Sequence, residues 1–514
     1  MTDPAPATSP LPAETFAALT ELFAAAVAEH RTAGITWAVV GGHAHGETLL
    51  AAGAAGHRHL VDGAPAPGSA PMDPGTVSRI ASMTKSFTAA TVLALREEGA
   101  LRLDDPVAAQ LPEAAGAFAR EAGEAEVTLR HLLTMSSGLV TDNPWGDRQE
   151  AMTREAFAEL LRQGLGRVHP VDSGFEYSNT GYALLGRVID EVTGSDYREE
   201  IRRRFLEPLG MTDTGFAAED IDRQRLATGH RLADREDATR FETVPLDSPG
   251  VYGAMAGLFS TTADVARWVR FLAAAETPAQ DPHGALLPAA ARREMQQIHR
   301  IQRTPPLPPD AGGRSPGFDR VRGYGFGLVV ERFPDLGDVV SHSGGYPGYG
   351  SYMVWHRDSG VGVVALANSK YAPATALSMQ ALRLLREQVP GLLAPRAEVA
   401  DPRTLQAAEA ALAWLRGDPA AAEVPGAWFA DNMDLDTSRE ERLRRLDTAL
   451  AGAGLTRENL TRVAPEQAQV LSPAQLRWHL APAAGLEAGV QIDLLMDPRR
   501  EARIQGLDVT PRAR

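Results

Sequence analysis

The sequence has no cysteine, and only two of its 514 residues are lysine, Lys85 and Lys370. The missing cysteine excludes disulfides, a thiol nucleophile and a cysteine-ligated zinc, and leaves the compartment open. Positive charge is scarce as well. There are 51 basic residues against 66 acidic ones, a net charge of −15, which argues against nucleic acid or an anionic membrane as partner. No apolar run reaches the roughly 20 residues of a membrane span. Residues 1–13 are proline-rich, with neither a basic start nor an apolar segment, so they read as a disordered lead-in and not a secretion signal. The cytoplasm is the expected compartment.

With 44% hydrophobic and 23% charged residues, the composition is that of a soluble globular protein, long enough for two domains. The first stretch that carries chemistry is Ser82-Met83-Thr84-Lys85. Thr76 to Ile80 has the character of a short strand, and no Gly or Pro interrupts Ser82 to Glu98, so a helix is predicted to open at the serine. Residues three apart share a helix face, which sets the Lys85 amine beside the Ser82 hydroxyl. A serine becomes nucleophilic when a neighbouring base takes its proton, and a desolvated lysine is such a base. Arginine, used almost everywhere else in this chain, cannot fill that role because it does not deprotonate. Alone, the motif is equally an ordinary helix start with a surface lysine.

Around this stretch the pattern alternates between helices and strands. Glu14 to Arg31 is amphipathic, and Ile35–Val40 with Glu47–Ala52 read as paired strands. The pairs His43/His45 and His57/His59 fall at opposite ends of that hairpin without joining carboxylates, and read as solvated turn residues and not metal ligands. Tyr177-Ser178-Asn179 is a loop triplet before a helix from Tyr182, suited to aiming a phenol and an amide into a cleft, and equally to plain capping. Residues 303–318 form a long Pro/Gly-rich loop, a candidate lid. Its Gly313-Arg314-Ser315-Pro316-Gly317 matches a nucleophile elbow but lacks the flanking strand and helix, so it is rejected. An antiparallel meander is predicted at Tyr324–Glu331, Val339–Ser343, Gly350–His356 and Val361–Ala367, closed by a helix at Ala374–Gln388. Beyond Pro390 the texture changes. Residues 396–514 read as a small α+β domain, with a helix capped at Thr437–Glu441 and strands at Leu476–Leu480, Val490–Met496 and Arg503–Val509.

Three motifs occur in order: Ser82-x-x-Lys85, Tyr177-x-Asn179 and His342-x-Gly344. Together they resemble the serine β-lactamase and penicillin-binding-protein family, in its class C β-lactamase, D-Ala-D-Ala carboxypeptidase, D-aminopeptidase and esterase branches. The flanking segments Thr128–Leu139, Tyr177–Gly194, Gly257–Phe271 and His342–Gly350 look like the same family, and the resemblance covers roughly residues 14–390. It implies an α+β fold of the β-lactamase/transpeptidase type: an antiparallel sheet flanked by helices plus an all-helical region, over residues 14–395. It also implies roles. Ser82 would be the nucleophile, Lys85 its base and Tyr177 a proton relay. Asn179, His342, Ser343, Gly344 and Gly345 would meet the substrate. The N–H groups of Ser82 and Gly345 would form the oxyanion hole, with no metal or cofactor. Two residues depart from the family pattern. His342 stands where β-lactamases carry lysine, and an unperturbed imidazole is mostly neutral at pH 7. Met135 stands where family members often carry histidine. The expected activity is therefore acyl transfer from small esters or amides. The alternatives are a D-stereospecific peptidase, a weak β-lactamase, or a catalytically silent relative that binds acyl-peptides.

Overall fold

The computed structural model describes residues 10–118, 123–218, 221–234, 236–306, 320–370, 372–394 and 397–512. The loop proposed as a lid falls largely on residues 307–319, outside the described residues, as do residues 1–9 of the lead-in. The chain forms two compact units, residues 1–394 and 395–514.

The first unit contains, in chain order, α1 (Ala13–Ala28), β1 (Gly34–Val40), β2 (Leu49–Gly56), β3 (Ser78–Arg79), α2 (Thr84–Glu97), α3 (Asn179–Thr193), β4 (Phe259–Ser260), α4 (Thr262–Ala273), β5 (Arg300–Ile301), β6 (Val321–Tyr324), β7 (Val329–Phe333), β8 (Gly337–Tyr346), β9 (Tyr349–His356), β10 (Gly362–Ala367) and α5 (Ala374–Gln388), with further short helices and strands between, among them helices at Leu129–Leu133, Arg154–Gln163 and Ala289–Met295. Eight strands make one antiparallel sheet in the order β2-β1-β10-β9-β8-β7-β6-β5. The N-terminal hairpin and the later meander are thus one sheet, joined where β1 pairs with β10 from Ile35/Ala367 to Val40/Gly362. β1 is buried along its whole length because helices cover both faces. Ile35, Trp37 and Val39 point to one side, into a core with Leu19 and Phe23 of α1 and Leu377, Leu382 and Leu385 of α5. There Trp37 stacks on Phe23 at 5.3 Å. Val40 points to the other side, into a core with α2, α3 and α4.

α2 is buried on every side from Thr84 to Leu95, as a helix inside a large domain must be. Burying each of Phe87, Val92 and Leu93 stabilises the fold by roughly 1.5–3 kcal/mol. Phe87 stacks on Trp268 of α4 at 3.9 Å, and the Trp268 indole N–H donates to Ser86 Oγ at 2.9 Å. The helix starts later than the sequence indicates: Ala81–Met83 form a 3-10 turn, and the α-helix begins at Thr84. The strand expected at Thr76–Ile80 contracts to β3, paired with β4. The strand expected at Tyr324–Glu331 is two strands, β6 and β7, joined by a turn at residues 325–328. Gly327 carries φ 69° there and lies so near α2 that a Cβ would sit 2.6 Å from the Lys85 carbonyl oxygen.

The second unit has its own core. A helix at Pro402–Arg416 and another at Arg439–Gly452 pack with a four-stranded antiparallel sheet of Gln469–Ser472, Gln475–Leu480, Gly489–Met496 and Ile504–Arg512. The strand at 469–472 is additional to the three expected. Ser438 caps its helix by accepting from Glu441 N–H at 3.2 Å. Among the described residues no helix is long and apolar enough to cross a membrane.

Candidate active site

Ser82 lies in the 3-10 turn, and Lys85 in the first turn of α2. Because 3-10 geometry eclipses residues three apart, the pair still meets: Lys85 Nζ is 3.1 Å from Ser82 Oγ. The turn is fixed from outside. Ala81, just before the serine, adopts φ 49°, a left-handed conformation that a non-glycine residue keeps only where its surroundings impose it. Ile80 N–H donates to Leu258 O at 2.9 Å, and Ser351 Oγ donates to Ile80 O at 2.8 Å. β8 lies directly against this turn. At Gly344 a Cβ would come within 2.2 Å of Ile80 O, so only glycine permits the approach.

Lys85 is completely buried. Its amine donates to Asn179 Oδ1 at 2.7 Å and to Met255 O at 3.1 Å, and among the described residues no carboxylate touches it. Loss of water lowers its pKa from 10.5 to about 7, against the opposing fields of Asp142 and Asp147. At neutral pH a large share of the amine is therefore unprotonated and able to accept a proton.

Asn179 opens α3, and a carboxylate sets that helix start. Asp142 accepts from the N–H groups of Asn179 and Thr180, each at 2.7 Å, and from the Thr180 hydroxyl at 2.6 Å. Ser178 Oγ caps the helix by accepting from Gly181 N–H at 3.2 Å. Asn179 donates its side-chain N–H to Asn143, which fixes the amide so that its oxygen faces Lys85. Tyr177 is half-buried, its ring centroid 4.9 Å from Lys85 Nζ. Burial raises the phenol's pKa well above its ordinary value, opposed only in part by hydrogen bonding with Ser82, so the group stays protonated at neutral pH. Met135 brackets this tyrosine. With φ 59°, it accepts from Glu176 N–H through its carbonyl at 2.8 Å and from Ser178 N–H through its sulfur at 3.3 Å. The departure at 135 thus has a physical role: it fixes the backbone on both sides of Tyr177.

In β8 the pleat alternates. Ser343 and Gly345 are exposed, while His342, Gly344 and Tyr346 are buried. His342 Nδ1 lies 2.7 Å from Ser343 O, which can only accept, so Nδ1 carries the proton and Nε2 accepts from the Tyr324 hydroxyl at 3.0 Å. Burial first, and then the Lys85 charge, lower the His342 pKa to about 3, so the ring is neutral. Of the residues expected to meet substrate, Ser343 and Gly345 are open to solvent. Asn179 and His342 have protein partners on their polar atoms. The four histidines at 43, 45, 57 and 59 are half-buried, not fully solvated. Among the described residues no cluster of three or more His, Asp or Glu is placed to hold a metal ion.

The sequence reading missed a pair that ties these segments together. Arg79, on the strand before Ser82, and Glu150, after the 142–148 loop, are both fully buried, with contacts of 2.6 and 2.7 Å. The guanidinium sits 4.2 Å from the centroid of the Tyr346 ring, next to Gly345, and 4.7 Å from that of Phe259. The available signal was an arginine inside the otherwise uncharged run Val77-Ser78-Arg79-Ile80. Asp142 and Asp147 carried no motif and were also missed.

The β-lactamase family model matches residues 19–388. Penicillin-binding protein 4* of Bacillus subtilis (strain 168) is 27% identical over 317 residues, 58% of this chain and 62% of that relative's length. Among solved structures, the octameric penicillin-binding protein homologue from Pyrococcus abyssi has a TM-score of 0.57 at 22% identity, over 96% of this chain and 99% of that one. D-amino acid amidase from Ochrobactrum anthropi SV3, complexed with L-phenylalanine amide, has a TM-score of 0.56 at 24% identity, over 73% of this chain and 99% of that one. Those two structures share the fold, and the family match covers most of the sequence. The chain belongs to the β-lactamase family.

Proposed function

We propose that this protein is a serine hydrolase that works through an acyl-enzyme on small esters or amides. The observation carrying the proposal is the buried Lys85 amine, 3.1 Å from Ser82 Oγ, with its pKa near 7. The neutral amine takes the Ser82 proton as Oγ attacks the substrate carbonyl carbon. The N–H groups of Ser82 and Gly345 would receive the developing oxyanion. Collapse expels the alcohol or amine, which takes its proton from Lys85 through Tyr177, and leaves an ester on Ser82. Water then adds by the reverse relay and releases the acid. Because Tyr177 stays a neutral phenol, it relays protons and Lys85 serves as the base. A neutral His342 offers no fixed charge to the carboxylate of a penicillin, which favours simple esters and amides over β-lactams.

The test is labelling with a fluorophosphonate probe, followed by kcat/KM on p-nitrophenyl butyrate, a D-alanyl amide and a chromogenic cephalosporin. The expected result is labelling that Ser82→Ala abolishes, with ester turnover well above cephalosporin turnover. Labelling that survives Ser82→Ala overturns the nucleophile assignment. A cephalosporin rate equal to the ester rate overturns the substrate reading, and a D-alanyl amide preference makes the protein a D-stereospecific amidase instead.

A further inference from the structure

Beside the Ser82 site lies a cavity of about 720 Å³ to which no step of the proposed reaction assigns a role. Its walls include Trp145, Asp147, Arg148, Arg231, Glu242 and Lys370. It adjoins the site at two places. The loop at 144–148 continues from Asn143, which holds the Asn179 amide, and the turn at 347–348 continues from Gly345 and Tyr346. Asp147 in its wall lies near enough to act on the Lys85 amine.

The charges on this wall do not cancel. Arg231 is engaged by Glu242. Lys370 reaches Asp147 only at 3.5 Å, a loose contact through one of its three N–H donors. Arg148 is exposed and makes no ion pair among the described residues. Thus an acidic chain presents two incompletely neutralised cations to a single cavity. Trp145 adds an apolar surface. It is 46% exposed and packs at a near-perpendicular angle on Tyr252, ring centroids 5.9 Å apart. Lys370 is also one of the two lysines in a chain that otherwise uses arginine. A compact ammonium keeps donors available for a second anion while it stays on Asp147, and the Arg148 fork matches a carboxylate in two-point geometry.

We propose that this cavity selects substrates carrying a free carboxylate, which Lys370 and Arg148 bind while the carbon skeleton packs on Trp145. The substrate class is then esters or amides with a carboxylate linked to the scissile carbonyl by a short carbon chain or ring, such as half-esters of dicarboxylic acids. The inference rests on the acyl-enzyme reading above and narrows it. Anion recognition, absent at the neutral His342, is supplied at Lys370 instead.

The experiment compares matched pairs that differ in one charge. Mono-p-nitrophenyl adipate against its methyl ester places the charge on the acyl part. The butyrate ester of 4-hydroxybenzoate against that of methyl 4-hydroxybenzoate places it on the leaving group. In the adipate pair the charged member should be favoured by about ten- to a hundred-fold in kcat/KM, the value of a charge-assisted contact, and a preference confined to the benzoate pair would overturn the acyl-side assignment. That ratio should fall to near one in Lys370→Met and drop in Arg148→Gln, and it should persist in Lys370→Arg. Calorimetry on Ser82→Ala gives a readout independent of chemistry: monomethyl adipate should bind more tightly than dimethyl adipate, and Lys370→Met should erase the difference. No preference in either pair and no difference in binding, or a preference untouched by Lys370→Met, overturns the proposal. Loss of the nucleophile assignment would show instead as probe labelling that survives Ser82→Ala, whatever the adipates do.

Discussion

Replacing Lys85 by methionine removes the amine, keeps an unbranched side chain, and tests the desolvation on which the chemistry depends. The amine titrates at 10.5 in the open chain and at about 7 in the folded one. Below pH 7 both states carry the proton, and the folded state bears the whole cost of a buried ammonium, on the order of 5 kcal/mol. Between pH 7 and 10.5 the unfolded chain keeps a proton that the folded chain has released, so wild-type stability rises with pH. The slope is about 1.4 kcal/mol per pH unit, and above 10.5 the cost is gone. The variant lacks this dependence and shares the others. Its stability relative to wild type should therefore fall by about 2–2.5 kcal/mol from pH 7.5 to 9.5. Urea unfolding followed by tryptophan fluorescence, read on the transition of the 1–394 unit, measures this. The value at one pH is not diagnostic, because the variant also strips Asn179 Oδ1 and Met255 O of a donor, costing about 1–3 kcal/mol. The slope is diagnostic. Parallel pH profiles for wild type and variant would mean an amine charged throughout, and the general-base argument would fail. The kinetic counterpart is Lys85→Arg, which keeps the charge and cannot accept a proton, and should slow acylation by about 10²–10⁴-fold.

Arg79→Met leaves Glu150 buried without its partner and should cost about 3–5 kcal/mol in thermal or urea unfolding, with Arg79→Lys recovering part of it. A cost below about 1 kcal/mol would show that the pair does not hold the three segments together. A fragment ending at residue 394, which contains all three motifs and its own core, should label at Ser82 as the full chain does. A soluble, folded fragment that fails to react would show that residues 395–514 complete or cover the site.

What was legible in the sequence depended on how local its cause was. The Ser82/Lys85 pairing survives even though the helix starts two residues later than expected, because α and 3-10 geometry both set residues three apart on one face. Helix ends with a side-chain cap, such as Ser438, were readable for the same reason. The break between β6 and β7 was not. Gly325-Phe326-Gly327-Leu328 carries enough apolar character to pass for strand, and what bends it is the approach of Gly327 to the backbone of α2, some 240 positions away in sequence. Asp142, Asp147 and the Arg79–Glu150 pair are likewise products of the tertiary structure. A buried ion pair 71 residues apart has no periodicity to reveal it.

A lysine titrating near 7 beside two aspartates needs an account of why neither aspartate claims it. Asp142 and Asp147 both raise the amine's pKa from a distance, and direct contact with either would convert it to an ammonium unable to accept a proton. Asp142 is held away by three donors at the start of α3, which also place Asn179 on the lysine. Asp147 faces Lys370 at 3.5 Å, and the positive charge of that lysine offsets part of the field that Asp147 exerts on the site. His342 completes the balance. Buried and neutral, it adds no positive charge that would push the amine lower still, and its proton lies on the side away from Tyr324. The two lysines of the sequence are therefore coupled: the second neutralises a carboxylate that would otherwise favour protonation of the first.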